Sequence, residues 1–144
     1  MSISEDDQFK QFENCITIEG SLIISSITYG NLSFPNLLVI KGYLVIHKVD
    51  NLTSVKQLLP NLVHIQGASP RAPDKALIIR DNKDLVKLDF KKLLRISSGR
   101  VEITENPRLC FSDTIAWSKT QAHIYTDLNL FEQNIQVWKC ADDF

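Results

Sequence analysis

Residues 37–46, Leu-Leu-Val-Ile-Lys-Gly-Tyr-Leu-Val-Ile, decide the fold of this chain. They predict a short strand that ends at Ile40, a glycine corner at Gly42 and a second strand that ends at Ile46. The isoleucine that ends the first strand recurs in three further copies of the phrase: Ile18, Ile65 and Ile96. In chain order these isoleucines lie 22, 25 and 31 residues apart. Such a period is typical of a solenoid, in which one turn cannot bury its apolar row without its neighbours.

The residues after each glycine corner alternate with a period of two. Leu44 and Ile46 alternate with Val45 and His47, and the other three copies show the same alternation. Because successive side chains of a strand point to opposite faces, one set lines a core and the other faces outward. Equivalent strands of successive rungs must then run parallel, with the glycines turning the corner between two sheets.

The 144 residues are enough for one domain with a substantial core. We expect residues 1–144 to comprise an N-terminal capping segment (1–14), four rungs (15–107) and a C-terminal cap (108–144). Turn residues follow the second strands, for example Asp81-Asn82 and Glu105-Asn106-Pro107. A short helix is predicted from Ser4 to Asn14, with a frayed tail as the alternative, and another after Ser112. The proline-containing insertion at 68–75 is either a binding loop or a tolerated excursion.

The composition excludes several classes of function. With 44% apolar residues, 23% charged residues and a formal net charge of -1, the chain offers no basic footprint for nucleic acid. No apolar run approaches the roughly 18 residues that cross a bilayer, so we expect no direct membrane insertion. The acidic first residues lack the apolar core of a signal peptide. If the parent protein is secreted, we expect its leader to lie outside this fragment.

Catalytic signatures are missing from the sequence. The three histidines, His47, His64 and His123, lack metal-ligand spacing, and no Cys-x-x-Cys pair or glycine-rich phosphate loop occurs. A polysaccharide-cleaving β-helix enzyme would need a carboxylate cluster on one sheet, whereas the outward rows contain only Asp81 and Glu102. We therefore expect no enzymatic activity, no metal and no cofactor.

An apolar row is predicted on the outward face of the second strands. Ile23, Val45 and Ile78 take the same position in three consecutive rungs, with Tyr43, His47 and Arg80 beside them. Such a row either stacks laterally to stabilise a parallel sheet or marks a protein-binding strip rimmed by polar groups. The sequence leaves both interpretations open.

Several segments together resemble a known family. Residues 12–20 (Phe-Glu-Asn-Cys-Ile-Thr-Ile-Glu-Gly), 32–37 (Leu-Ser-Phe-Pro-Asn-Leu) and 59–67 (Leu-Pro-Asn-Leu-Val-His-Ile-Gln-Gly) are similar to the receptor L domain. So are 106–110 (Asn-Pro-Arg-Leu-Cys) and 115–118 (Ile-Ala-Trp-Ser). That domain forms the outer lobes of insulin and EGF receptor ectodomains, and the first L domain of the insulin-receptor type is the most similar. The resemblance extends from about Phe9 to Cys140.

The resemblance implies a mostly β, right-handed, parallel β-helix-like solenoid with leucine-rich-repeat-like rungs, capped by short helices and disulfides. It implies that Cys110 pairs with Cys140, and that Cys15 matches a cysteine whose partner lies upstream in the family. For Cys15 there are two alternatives: the fragment begins inside that bridge, or this member lacks the bridge. A secreted or cell-surface setting would make the sequons at Asn31 and Asn51 glycosylation sites. Hormone-binding residues carried over from the family lie on the second-strand face: Ile23, Ser25, Tyr43, Val45, His47, Ile78, Arg80, Glu102 and Thr104.

The resemblance therefore implies an extracellular domain that binds a peptide hormone or growth factor and adjoins neighbouring ectodomain modules. The family places aromatic anchors where this chain has His47 and Arg80, which favours a ligand of different surface chemistry. The alternatives are a structural or dimerising L domain and a secreted decoy that does not bind insulin itself.

Overall fold

The computed structural model describes residues 2–3, 13–67, 74–90 and 92–109. Over these ranges the chain forms strands and a single three-residue 3₁₀ helix, Val55–Gln57. The strands are β1 (Ser2–Ile3), β2 (Thr17–Ile18), β3 (Leu22–Thr28), β4 (Val39–Ile40), β5 (Leu44–Asp50), β6 (His64–Ile65), β7 (Lys75–Arg80), β8 (Arg95–Ile96) and β9 (Arg100–Thr104). No helix in the described ranges is long and apolar enough to cross a lipid bilayer. The predicted mostly β solenoid is confirmed.

Two parallel sheets form the walls of the solenoid. The large sheet has the order β1-β3-β5-β7-β9 and the small sheet the order β2-β4-β6-β8. Each rung supplies one short strand to the small sheet and one longer strand to the large sheet. Leu22 pairs with Leu44, and Leu44 pairs with Leu77, so each strand is bonded to its counterpart one rung away. Both sheets are parallel, as the repeat predicts.

Rows of equivalent aliphatic residues fill the space between the sheets. Leu22, Leu44, Leu77 and Val101 make one row, and Ile24, Ile46, Ile79 and Ile103 make the next. Ile18, Ile40, Ile65 and Ile96 face them from the small sheet. All twelve side chains are buried. Full burial of one such side chain contributes about 1.5–3 kcal/mol, so these rows carry much of the stability.

Each second strand has a left-handed residue, which lies within β3 and β5 and directly after β7 and β9. Ser26, Lys48, Asp81 and Glu105 take this position in the four rungs, with φ angles of 58°, 52°, 59° and 57°. The turn shifts the alternation by one residue, so two consecutive side chains face outward before the next inward one. That next inward position is occupied by Ile27, Val49, Asn82 and Asn106, all buried.

Two of these inward residues are asparagines that form a buried ladder. Oδ1 of Asn82 accepts from the backbone N–H of Val49 at 3.0 Å, and Nδ2 of Asn82 donates to the carbonyl of Ile46 at 3.1 Å. Nδ2 of Asn82 also donates to Oδ1 of Asn106 at 3.0 Å, and Nδ2 of Asn106 donates to the carbonyl of Ile79 at 3.0 Å. The sequence predicts turns here, but it does not reveal that these side chains replace backbone hydrogen bonds between rungs.

Several predictions fall on residues that the structure does not describe. These are the N-terminal helix over residues 4–12, the loop at 68–73, the helix after Ser112 and the Cys110–Cys140 disulfide. Residues 13–14 form a turn, and Cys15 is half-buried. Near the start of the predicted N-terminal capping segment, β1 pairs with β3 as an additional parallel strand of the large sheet. The alternation in the sequence does not predict this strand.

His64 on β6 is a half-buried histidine of the small sheet. Its Nε2 atom lies 2.5 Å from Oγ of Ser97 in the next rung. Burial, and then the charge of Arg95, lower the pKa of His64 below its ordinary value of 6.5. The folded chain therefore binds a proton at His64 less readily than the unfolded chain does.

We expect acidification below about pH 6.5 to destabilise the protein through His64, because the unfolded state then binds more protons than the folded state. Melting curves between pH 7.5 and 5.5 should show a larger drop in Tm for the parent chain than for His64→Gln. An equal or larger drop in the variant would contradict this assignment.

Gly42 is required by a close approach between rungs rather than by its φ angle. A Cβ at this position would meet Oγ of Ser21 and lie 2.8 Å from the carbonyl carbon and oxygen of Gly20. Gly20 itself has open space around the same position. The equivalent glycines are therefore not equally constrained, although the repeat predicts that they are.

We expect Gly42→Ala to lower the free energy of unfolding by about 1–3 kcal/mol, because the new methyl group must push one rung away from the other. Gly20→Ala is the matched control and should change it by no more than about 0.5 kcal/mol. Urea denaturation measures both values. Equal midpoints for the two variants would contradict the steric argument.

Candidate functional site

The outward face of the large sheet brings the sequence-predicted site residues together. Eight of them form two adjacent rows across the rungs. One row contains Ile23, Val45, Ile78 and Glu102, and the other contains Ser25, His47, Arg80 and Thr104. Tyr43 lies one residue before the start of β5, at the edge of the same face. The predicted positions are thus contiguous, and whether they bind a ligand stays a prediction.

The middle of this face is a shallow concavity of about 410 Å³. Its lining residues come from β5, β7 and β9: Val45, His47, Lys75, Ile78, Arg80, Arg100 and Glu102. Two aliphatic side chains form the floor, and charged or polar side chains surround them. The concavity can accommodate an apolar group flanked by polar ones.

Ile78 is less accessible than the sequence predicts. The alternation predicts an exposed apolar anchor, but only 9% of Ile78 is accessible to solvent. Val45 and Glu102 pair with it on either side, and the long side chains of Lys75 and Arg80 lie nearby. Ile78 is therefore the floor of the concavity, while Val45 is half-buried and more accessible.

Arg80 is held by two acidic residues, Asp81 and Glu105, which are the left-handed residues directly after β7 and β9. Its Nε atom donates to Oε2 of Glu105 at 2.9 Å and lies 3.6 Å from Oδ2 of Asp81. The hydrogen bond to Glu105, and then the charge of that carboxylate, raise the pKa of Arg80. This guanidinium is therefore fixed in place by its own neighbours.

His47 joins the first rung to the third through its two ring nitrogens. Nε2 lies 3.3 Å from Oδ2 of Asp81, a carboxylate that can only accept, so Nε2 donates. Nδ1 lies 3.3 Å from Oγ of Ser25, which donates to it when the imidazole is neutral. The ring is thus oriented across β3, β5 and the end of β7.

A second pair of cations lies at the start of β7 and β9. Lys75 and Arg100 are partners in the sheet register, and both line the concavity. Nζ of Lys75 lies 5.8 Å from the centroid of the Tyr43 ring, within cation–π range. Nη2 of Arg100 lies 3.9 Å from Glu102 and 4.0 Å from Asp74, beyond hydrogen-bonding distance.

The ligand-binding set predicted from the sequence leaves out four charged residues of this face: Lys75, Asp81, Arg100 and Glu105. For Asp81 and Glu105 a signal exists in the sequence. Each rung has two consecutive polar or charged residues after its last isoleucine, as in Ser25-Ser26 and His47-Lys48. That repeated pair marks the left-handed corner, where both side chains face outward. Arg100 is the first outward residue of its alternating stretch, whereas Lys75 has no comparable signal, because it lies in the insertion before that stretch.

The small sheet carries a different outward surface. Ile16, Leu38, Val63 and Leu94 are linked rung to rung by backbone hydrogen bonds, and they form an aliphatic row. Ile16 and Leu94 are the most exposed, at 59% and 60%. A depression of about 500 Å³ runs beside this row and is lined by Asn36, Asn61 and Lys92, among others. The described residues that line this depression include no cluster of titratable side chains that could act in catalysis.

The described residues offer binding groups and no metal cluster. Within residues 2–3, 13–67, 74–90 and 92–109, no three His, Cys, Asp or Glu side chains gather closely enough to hold a metal ion. Asp81 and Glu105 are engaged with His47 and Arg80. The face can therefore provide shape, an apolar floor and oriented charges.

Comparison with known proteins gives one family and several relatives. The model of the receptor L domain family matches residues 14–121. An insulin-like peptide receptor of Branchiostoma lanceolatum is 35% identical over 139 residues, which cover 92% of this chain and 10% of that protein. An insulin-like receptor of Drosophila melanogaster is 36% identical over 92% of this chain and 6% of its own length.

An insulin-like growth factor 1 receptor of Xenopus laevis is 36% identical over 149 residues, which cover 99% of this chain. Those residues make up 11% of that receptor. The chain thus spans about a tenth or less of the length of the curated relatives described here.

Proposed function

Because this chain belongs to the receptor L domain family, we propose that it is the extracellular ligand-recognition domain of an insulin-receptor-like protein. Its ligand is a peptide hormone or growth factor that lies on the outer face of the large sheet. The observation that carries this proposal is the contiguous face itself. Its two registered rows of outward residues surround a concavity with an aliphatic floor.

The layout of this face is that of a protein-binding surface. Specific interfaces concentrate their binding energy in a few central residues from which water is excluded, surrounded by a polar rim. Val45 and Ile78 are the central apolar residues here, and Ser25, His47 and Thr104 belong to the rim. Parallel strands hold the rim residues in fixed register, so little ordering is needed when a partner binds.

The ligand must suit a face with few aromatic side chains. Within its two outward rows the face has His47 and Arg80 at central positions, and Tyr43 lies at the edge. Large aromatic anchors on the domain side are therefore not the main source of affinity. The ligand contributes the apolar group, and the domain contributes an aliphatic floor and oriented charges.

A second candidate function is docking onto another module of the same ectodomain. The exposed aliphatic row of Ile16, Leu38 and Leu94 on the small sheet supports it, since exposed apolar patches of this kind commonly mark interfaces. The two functions use different sheets of the solenoid and are compatible. The Cys110–Cys140 bridge that the family implies belongs to the same extracellular setting.

We expect Val45→Glu to weaken the binding of insulin, or of insulin-like growth factor 1, at least tenfold. A new carboxylate would then lie on the aliphatic floor and lose its hydration in the complex, at a cost of at least about 1.4 kcal/mol. Surface plasmon resonance with the immobilised chain measures this, with each hormone injected up to about 100 μM.

Val39→Glu is the matched control, because Val39 is a half-buried outward valine of the same rung on the small sheet. It should change the affinity by less than about threefold. Equal losses for the two variants would contradict the assignment of the face. If neither hormone shows saturable binding to the parent chain, that result would contradict hormone recognition by this domain.

We also expect Asn31 and Asn51 to carry N-linked glycans when the chain is secreted from animal cells. Both asparagines are exposed and lie beyond the ends of β3 and β5, so a glycan would project from the edge of the face. Glycosidase treatment followed by mass spectrometry measures occupancy at each site. Ser33→Ala and Thr53→Ala should each remove one glycan, and unmodified asparagines at both sites in the secreted parent chain would contradict the expectation.

A further inference from the structure

We propose that Lys75 and Arg100 form a carboxylate-binding subsite within the concavity of the large sheet. This inference rests on the proposed function, since it names the chemistry that the same face recognises. The ligand feature is a carboxylate next to an apolar side chain. The carboxylate lies between the two cations, and the apolar side chain lies on Val45 and Ile78.

The two cations are neighbours with unsatisfied hydrogen-bonding capacity. Lys75 pairs with Arg100 across adjacent parallel strands, where backbones lie about 4.8 Å apart. Arg100 approaches Glu102 and Asp74 only to 3.9 and 4.0 Å. Its Nε atom is buried without a hydrogen-bond partner among the described residues. A buried donor without an acceptor destabilises the fold, and a suitable acceptor would recover that free energy.

Arg80 differs from Arg100 because its guanidinium already has a hydrogen-bond acceptor on this face. Its Nε atom donates to Glu105 at 2.9 Å, and that bond raises its pKa. Lys75, by contrast, makes only the cation–π contact with Tyr43 and no ion pair with a described carboxylate. The face therefore has one cation that is fixed internally and two that are available to a ligand.

A carboxylate matches these donors better than other groups do. A guanidinium donates two parallel N–H bonds to the two oxygens of one carboxylate, and an ammonium group adds a donor from the side. Because Nε is buried, binding requires an outward rotation of the Arg100 side chain, which would present Nε and one Nη together. Asp74 and Glu102 keep the cluster close to neutral, which favours a single carboxylate over a polyanion.

N-acetyl-phenylalanine is a probe that joins the two features, and N-acetyl-phenylalaninamide is its neutral counterpart. In NMR titrations of the full chain up to about 20 mM, the acid should shift the Nε–H resonance of Arg100 and the methyl resonances of Ile78. The amide should shift them little. Arg100→Gln and Lys75→Gln should each weaken binding of the acid at least fivefold, as followed on the Ile78 methyl groups.

Lys83→Gln is the control variant, because Lys83 is an exposed cation outside the concavity that pairs with Asp50. It should leave the titration unchanged. Unperturbed backbone spectra for the variants would establish that they fold. Equal shifts with acid and amide, no shift with the acid, or full binding by both Gln variants would overturn the subsite.

The hormone experiment fails or succeeds independently of this one. If neither hormone binds but the acid shifts Arg100, the subsite stands and the proposed ligand class is wrong. If a hormone binds and Arg100→Gln leaves its affinity unchanged, the face stands and the subsite is wrong.

Discussion

Backbone hydrogen bonding between rungs is the constraint on which the rest of this structure depends. The strands of one rung have no partners for their backbone N–H and carbonyl groups within that rung, so the neighbouring rungs must supply them. That requirement fixes the register, and the register aligns equivalent side chains in rows. An inward row is buried along its whole length, which is why Leu22, Leu44 and Leu77 share one environment.

The same constraint explains how much of the molecule could be predicted from its sequence. The inward rows, the parallel pairing and the contiguity of Ile23, Val45 and His47 follow from a period of two within a longer repeat. The Asn82–Asn106 ladder does not, because an asparagine after a strand is equally typical of a solvated turn. Its role depends on the carbonyl of Ile46, one rung away, which the local sequence cannot indicate.

The sequence predicts which residues of the candidate site face outward, but it does not predict the ion pairs and hydrogen bonds among them. An alternating pattern tells which side of the sheet a residue faces, but it does not tell how deeply neighbouring side chains cover it. Ile78 is only 9% exposed on this outward face, and Arg80 is fixed by Glu105 of the next rung. These contacts join residues of different rungs through side-chain conformations, and no period in the sequence encodes them.

The distance along the chain between paired strands also has a kinetic consequence. In the described part of the chain, β3 pairs with β5 at a separation of 22 residues, and β5 pairs with β7 at 33. The chain must therefore close a loop of that length, at an entropic cost, before the first ladder bond forms. Folds dominated by such non-local pairing reach the native state in milliseconds to seconds rather than microseconds. A first pair of rungs would act as the slow nucleus, and later rungs would add to its edge at lower cost.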